Sequence, residues 1–340
     1  MKILFNTFYH AFQNPGGGEV VLQKTFEHLK RLNVEVVLFN KWETKMNQFD
    51  IIHNFGTPNY REWEGFKTYC PKLVVTPVLW PSTNKLDVLN FKLKHQFKTI
   101  VGQDNPENNI VSAFNFVDRF FPSTSMEANR INQYYDVPFE KMQTIYNAVE
   151  LPQKESLVNT FKAKHNFENY FLFVGRISPL KNVHSIIEAV NLCNKKLVII
   201  GQADRTDYEY EKSLREKYKD YSNIFFAGPI YNDPVLLSDA YYGASGVIVA
   251  SMFETFSLVG LEAGVRKIPV FMTEVGATKE VYQDKATFIN PNSVFDIAEK
   301  ISKEISAEQV EAMQKLIVEN YTWDQVVKKL INSYEEILKN

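Results

Sequence analysis

The sequence predicts an α/β protein built from two doubly wound parallel-sheet domains. Short β-rich apolar runs alternate with amphipathic helical stretches along the chain, which is the pattern of parallel βαβ units. The polar segment 147–169 carries no strand pattern and splits the units into two series. With 340 residues, 45% hydrophobic and 23% charged, the chain has enough apolar material for two cores and lies outside the disordered class.

The elements follow in order. In the first series the apolar runs predict strands at 2–8, 34–39, 50–55, 73–78, 99–102, 117–122 and 143–146. In the second they predict strands at 170–174, 196–200, 223–226, 246–250, 268–272 and 286–289. Beyond Ser293 the pattern is helical to the end, and Trp323, Val326, Leu330, Tyr334 and Leu338 recur at spacings of three or four, the mark of a helix with one buried stripe. The expected division is 1–150, 165–318 and a final helical segment 319–340. No repeat of 20 to 50 residues and no low-complexity tract interrupts this order.

Charge narrows the function classes. Lys and Arg number 38 against 40 Asp and Glu, a net charge of −2, which provides no overall field for nucleic acid. The two cysteines, Cys70 and Cys193, have neither metal-type nor C-x-x-C spacing. The opening apolar run is broken at Asn6 and His10, and no apolar stretch of membrane-spanning length follows. The expectation is a cytoplasmic chain.

In open α/β sheets, ligands bind at the carboxyl ends of strands, so the strand-to-helix turns are where chemistry belongs. The turn Asn14-Pro15-Gly16-Gly17-Gly18 precedes a helix whose apolar face reads Val20, Val21, Phe26 and Leu29. It suits either close approach to an anion or a plain flexible turn. It is neither G-x-G-x-x-G nor a P-loop. The turn after 170–174 carries Gly175-Arg176 and, five residues on, Lys181: either a diphosphate clamp or two solvated cations. The turn after 246–250 carries Glu254 and Glu262, seven residues between them. A helix starting near Ser257 leaves N–H groups for an anion, and carboxylates accept well from vicinal hydroxyls. The turn after 268–272 carries Gly276, at the start of another helix.

In this order the residues resemble the retaining glycosyltransferases of family 4, which have the GT-B architecture of two facing Rossmann-like domains. The resemblance rests on the Gly16–Gly18 loop, Ile145-Tyr146-Asn147-Ala148-Val149, Gly175-Arg176 with Lys181, Glu254 with Glu262, Pro269-Val270, Gly276 with Glu280, and Tyr321-Thr322-Trp323. It spans nearly the whole chain and is sharpest from Tyr170 to Ile289. It implies a hexose-type transfer from a nucleotide-diphosphate sugar, UDP being the commonest nucleotide in the family. The acceptor is a saccharide, lipid-linked or small-molecule hydroxyl, and the setting is cell-surface glycan or glycoconjugate synthesis.

By that resemblance Arg176 and Lys181 hold the diphosphate, Glu262 the ribose and Glu254 the transferred sugar. Gly175 and the main chain of Thr255, Phe256, Ser257 and Leu258 assist, Pro229 and Ile230 touch the base, and Gly17 and Gly18 close on the phosphates. The last helix is expected to cross back to the first domain. No cofactor and no metal are expected, since the family needs none and the sequence has no D-x-D motif.

Two departures stand out. The Thr-x-His pattern common after the fourth strand reads Thr76-Pro77-Val78, which leaves His53 as a possible substitute on the site or as a satisfied strand-end histidine. Thr255 and Ser257 stand where glycines are more usual, and Ser257 suits an N-cap. Two rival functions follow: a transferase-like nucleotide-binding protein with weak catalysis, and a Rossmann-type NAD-dependent oxidoreductase, the latter lacking its glycine fingerprint.

One segment bears on the acceptor. In 85–98, Leu86, Leu89, Leu93 and Phe97 share one helical face while Lys85, Lys92, Lys94, His95 and Lys98 lie elsewhere. Either the leucines pack on the sheet or the helix makes peripheral contact with the inner membrane face.

Overall fold

The computed structural model describes residues 1–8, 11–12, 16–57, 60–100, 110–152, 159–230 and 233–339, with the backbone alone for 95–100. Asn14 and Pro15 of the glycine turn, positions 101–102, and the side chains of His95, Phe97 and Lys98 lie outside the described residues. The chain forms two compact units, Met1–Ala148 with Trp323–Asn340, and Val149–Thr322.

The first unit runs β1 (Lys2–Asn6), α1 (Gly17–Arg31), β2 (Glu35–Leu38), β3 (Ile51–Phe55), α2 (Tyr60–Tyr69), β4 (Lys72–Thr76), α3 (Lys85–Ile100), α4 (Ile110–Phe114), β5 (Arg119–Phe120) and α5 (Ser125–Tyr135). Its strands pair in parallel in the order β2-β1-β3-β4-β5. One face of the sheet packs on α1 and on the C-terminal helix Trp323–Lys339, whose Trp323, Val326, Val327, Leu330, Tyr334 and Ile337 join Ile3, Phe5, Leu22 and Leu29 in one core. The other face packs Trp63, Phe66, Phe114 and Ile131 against Leu4, Ile52 and Val75.

Four expectations change here. Helix α3 runs through Thr99 and Ile100: the three-to-four spacing of Leu86, Leu89, Leu93, Phe97 and Ile100 outweighs the short β-branched run that predicted a strand. Residues 143–146 form no strand. Gln143 and Ile145 donate N–H bonds to Phe120 and Pro122 carbonyls at 2.9 and 3.0 Å, but β5 has only two residues and Pro122 has no N–H to return, so no ladder develops. On α1 the buried residues are Leu22, Thr25, His28 and Leu29, while Val20 is exposed. At the chain end Ile337 takes the buried position and Leu338 faces outward.

The second unit runs α6 (Thr160–His165), β6 (Tyr170–Val174), α7 (Val183–Leu192), β7 (Lys196–Ile200), α8 (Tyr208–Lys217), β8 (Ile224–Gly228), α9 (Pro234–Tyr242), β9 (Ala244–Val249), α10 (Leu258–Val265), β10 (Val270–Thr273), α11 (Thr278–Tyr282), β11 (Thr287–Ile289), α12 (Val294–Ile301) and α13 (Ala307–Asn320). The parallel sheet has the order β11-β10-β9-β6-β7-β8. From β6 the chain winds outward to β8, returns to lay β9 on the other side of β6, and winds outward again. The winding reverses between β6 and β9, the place where open α/β sheets take their ligands. Strands such as Leu197–Ile200 and Val247–Val249 are buried on both faces, as their near-continuous apolar runs require.

Candidate functional site

The pairing of β6 with β9 brings together two turns some 75 residues apart in sequence. After β6 the chain makes a tight turn in which Ser178 caps a single 3₁₀ turn, Pro179–Lys181, and Asn182 adopts a left-handed conformation before α7. Asn182, 2% exposed, donates its amide to the Ala250 carbonyl at 3.1 Å and the Pro291 carbonyl at 2.7 Å, and the Met252 N–H donates to the Leu180 carbonyl at 2.8 Å. These bonds lock the Lys181 turn to the segment that follows β9.

Lys181 Nζ donates to Glu254 Oε2 at 2.7 Å, and Ser251 Oγ donates to the same oxygen at 3.1 Å. The Glu254 side chain is 10% exposed and that of Lys181 28%. Glu254 Oε1 has no partner among the described residues, so one carboxylate oxygen is held and the other is open to accept. The backbone of Glu254 is clamped as well: its N–H donates to the Val275 carbonyl at 3.0 Å, and its carbonyl accepts from Ala277 N–H at 3.1 Å. Gly276, at φ +105°, is the residue that permits the clamp, because a Cβ there would lie 2.0 Å from the Glu254 carbonyl oxygen. The role visible for Gly276 is thus to fix Glu254.

Arg176 follows Gly175 at the end of β6. Its Nη1 donates to Asp204 Oδ2 at 2.7 Å, and its side chain is 52% exposed. Asp204 Oδ1 accepts from Thr206 N–H at 3.0 Å, Thr206 Oγ1 at 2.6 Å and Asp207 N–H at 3.1 Å. Those bonds from Thr206, with the Arg176 guanidinium, push the Asp204 carboxyl down to about 2, so it is ionised throughout the physiological range. A guanidinium has five N–H donors, and among the described residues Arg176 spends one.

Two residues here escape sequence reasoning. Asp204 carries no motif of its own. Gly201, after the Ile199-Ile200 strand end, has φ +137°, and a Cβ on it would lie 1.9 Å from the Gly175 carbonyl oxygen. Its N–H donates to the Gly228 carbonyl and Ile200 accepts from Gly175, both at 3.0 Å. A glycine directly after an apolar strand was the available signal. Past Gly228, Pro229 is exposed and Ile230 half-buried.

Ser257 takes the N-cap of α10, its hydroxyl accepting from Gly260 N–H at 3.4 Å. The opening N–H groups of α10 have no intrahelical partner, as in any helix. Phe256 is 2% exposed and packs edge-on against Tyr321 at 5.9 Å, so only its main chain can serve a ligand. Thr255 is half-buried beside it. Glu262 accepts a hydrogen bond on Oε2 from the Tyr241 hydroxyl, and burial raises its carboxyl above the usual range. Its Oε1 has no partner among the described residues. The Tyr282 hydroxyl donates to the Ser257 carbonyl. Burial first, then the charge of Glu254, raises that phenol well above the usual range and keeps it protonated. Gly260 makes room for it, since a Cβ there would sit 2.6 Å from the hydroxyl.

In the first unit, Gly16 N–H donates to Glu19 Oε2 at 2.8 Å, and Gly17 and Gly18 form the first turn of α1. His53 proves to be a core residue. It is 1% exposed, with Nδ1 bonded to the Tyr334 hydroxyl at 2.5 Å and Nε2 to Thr76 Oγ1 at 2.9 Å. The ring stacks on Phe55 at 4.2 Å and meets Phe5 edge-on at 5.2 Å. Burial lowers its pKa to about 3, so it is a neutral tether between the sheet and the C-terminal helix. The cavity it lines, about 20 Å³, holds no more than a water molecule.

These groups suit an oxygen-rich anion that carries hydroxyls: a partly free guanidinium and an ammonium follow β6, Glu254 and the open N–H groups of α10 follow β9, and Glu262 stands within α10 with one oxygen unspent. Residues 158–323 match the family of glycosyl transferases group 1. Over 225 residues, 59% of this chain and 55% of the relative, the sequence is 28% identical to an uncharacterized glycosyltransferase, MJ1607, of Methanocaldococcus jannaschii. Over 167 residues, 48% of this chain and 44% of the relative, it is 30% identical to the O-antigen chain mannosyltransferase RfbU of Salmonella typhimurium. The chain spans about half the length of these curated relatives. Among solved structures, Anabaena Alr3699/HepE in complex with UDP superposes with a TM-score of 0.76 at 16% identity, covering 99% of this chain and 100% of that one. The similarity to group 1 glycosyl transferases thus lies over 158–323, just under half of the chain, and the two Rossmann-like units have the fold of GT-B glycosyltransferases.

Proposed function

We propose that this protein is a metal-independent, retaining glycosyltransferase of the family 4 type, moving a hexose from a nucleoside-diphosphate sugar, UDP first among them, to a hydroxyl acceptor in glycan or glycoconjugate synthesis. The observation that carries this reading is the Lys181–Glu254 pair at the β6/β9 switch point. It sets a cation for the diphosphate beside a carboxylate oxygen free for a sugar hydroxyl. Arg176, Lys181 and the α10 N-terminus stabilise charge on the departing diphosphate, Glu262 Oε1 accepts from the ribose, and Glu254 Oε1 from the sugar. The bond from the sugar C1 to the diphosphate oxygen breaks as the acceptor oxygen bonds C1 on the same face. The acceptor proton passes to the leaving diphosphate.

Alr3699/HepE has been solved with UDP and with UDP-glucose, which supports trying the uridine series first. The test is thermal stability with UDP, GDP, ADP, CMP and NAD, each at about 1 mM with EDTA; a ligand near 100 times its Kd adds about 2.7 kcal/mol. A shift selective for one nucleoside diphosphate, followed by release of that nucleotide from its sugar conjugate in EDTA, is the expected result. A shift with NAD alone points to an oxidoreductase and refutes the proposal. Binding without sugar release leaves only a nucleotide-binding protein, and activity that EDTA abolishes refutes metal independence.

A further inference from the structure

Helix α3 turns one apolar face inward and a second outward. Phe91 packs on Tyr134 and Tyr135 of α5 at ring distances of 4.4 and 5.5 Å, and Lys92 Nζ pairs with Asp136 just past α5 at 2.7 Å. At 100° per residue, Leu86, Leu89 and Leu93 fall within about 60° of one another and roughly opposite Phe91. They are 68%, 53% and 53% exposed, so the leucine stripe does not pack on the sheet. Lys85 borders the stripe on the Leu89 side and Lys94 on the other. Both are exposed and have no partner among the described residues. The nearby acid, Asp87, accepts from Ser82 Oγ at 2.6 Å.

We propose that the outer face of α3, residues 85–94, docks on an anionic lipid bilayer surface. Leucines aligned along the helix enter the headgroup boundary while lysines on both flanks reach the anionic headgroups, the geometry of an interfacial helix. The helix is a basic island in a chain of net charge −2, and that local charge selects the occupant. A second copy stacked stripe to stripe would set its own Lys85 and Lys94 against these and repel. The helix carries four lysines, and no helix among the described residues is long and apolar enough to cross a membrane, so the contact is peripheral. This surface lies outside the transferase site and does not depend on its assignment.

The test is co-sedimentation with vesicles of phosphatidylcholine containing about 30% phosphatidylglycerol, against phosphatidylcholine alone. The full chain is expected to bind the anionic vesicles, less so as salt is raised from about 0.05 to 0.5 M. Leu86→Ser/Leu89→Ser/Leu93→Ser, at exposed positions and therefore folded with unchanged Tm, is expected to weaken partition by about tenfold or more. Lys85→Gln/Lys94→Gln is expected to lose the preference for phosphatidylglycerol. No binding by the parent chain overturns the proposal, and so does equal binding by the folded leucine variant. A concentration-dependent dimer that the leucine variant abolishes, without vesicle binding, also overturns it and assigns the stripe to a second copy.

Discussion

Between pH 7 and pH 5 the first unit should lose about 2 kcal/mol of stability through His53 alone. In the native state its pKa is held at about 3 by burial, whereas an imidazole in the unfolded chain titrates near 6.5. The folded value lies below the unfolded one, so the unfolded chain takes up the extra proton, and stability present above about pH 6.5 is lost as pH falls toward 3. Integrating that single-proton linkage from pH 7 to 5 gives the 2 kcal/mol, on the order of 1 kcal/mol per pH unit. The assay is urea unfolding followed by tryptophan fluorescence. All four tryptophans, Trp42, Trp63, Trp80 and Trp323, belong to the first unit, so the signal reports on that unit and not on the second. His53→Gln sacrifices the bonds to Tyr334 and Thr76 at pH 7, a cost of about 1 to 3 kcal/mol, but should shed most of the pH dependence. If the parent and His53→Gln lose equal stability between pH 7 and 5, the neutral buried tether is refuted. In either case His53→Gln should leave nucleotide binding by the second unit untouched.

Arg176→Ala and Lys181→Ala should each weaken nucleoside-diphosphate binding about tenfold or more, the scale of a hydrogen bond to a charged group, with Tm preserved; calorimetry showing parental affinity in a folded variant refutes the clamp. Asp204→Ala should weaken the same binding severalfold by freeing the guanidinium, and should have no further effect in an Arg176→Ala background, since the effect passes through Arg176; additive losses would show that Asp204 acts in another way. Gly276→Ala drives a Cβ into the Glu254 carbonyl and should cost about 2 kcal/mol or more in chemical denaturation while depressing turnover. Gly18→Ala is the contrast: it is helical with open space around its Cβ position, so stability should hold or rise by up to about 1 kcal/mol. Any fall in its turnover then reports a ligand approaching the loop, and unchanged turnover removes Gly18 from the site.

The alternation of short apolar runs and amphipathic helices is local information, and it was enough for the class and for eleven strands of the sheets, because period and burial are set by neighbouring residues. Ser257 was readable as a cap for the same reason. The two false strands show the limit. At Thr99 and Ile100 a β-branched pair sat inside a longer helical period, and at 143–146 an extended chain met a partner too short, and too poor in N–H groups, to make a ladder.

What the turns did together was decided only by the tertiary structure. Gly175, Arg176 and Lys181 leave one strand, Glu254 follows another about 75 residues later, and nothing local says that these strands are neighbours. The order β10-β9-β6-β7 does, and with it come the Lys181–Glu254 pair, the Asp204 hold on Arg176 and the close approaches that demand Gly201 and Gly276. His53 makes the same point in reverse: its place beside a strand end looked open until the C-terminal helix, 281 residues away in sequence, delivered Tyr334 to its ring. Sequence period fixes which face of an element is apolar; which element covers that face, and whether any does, is settled by non-local packing. The leucines of α3, apolar on a face that nothing among the described residues covers, lie on the boundary between the two.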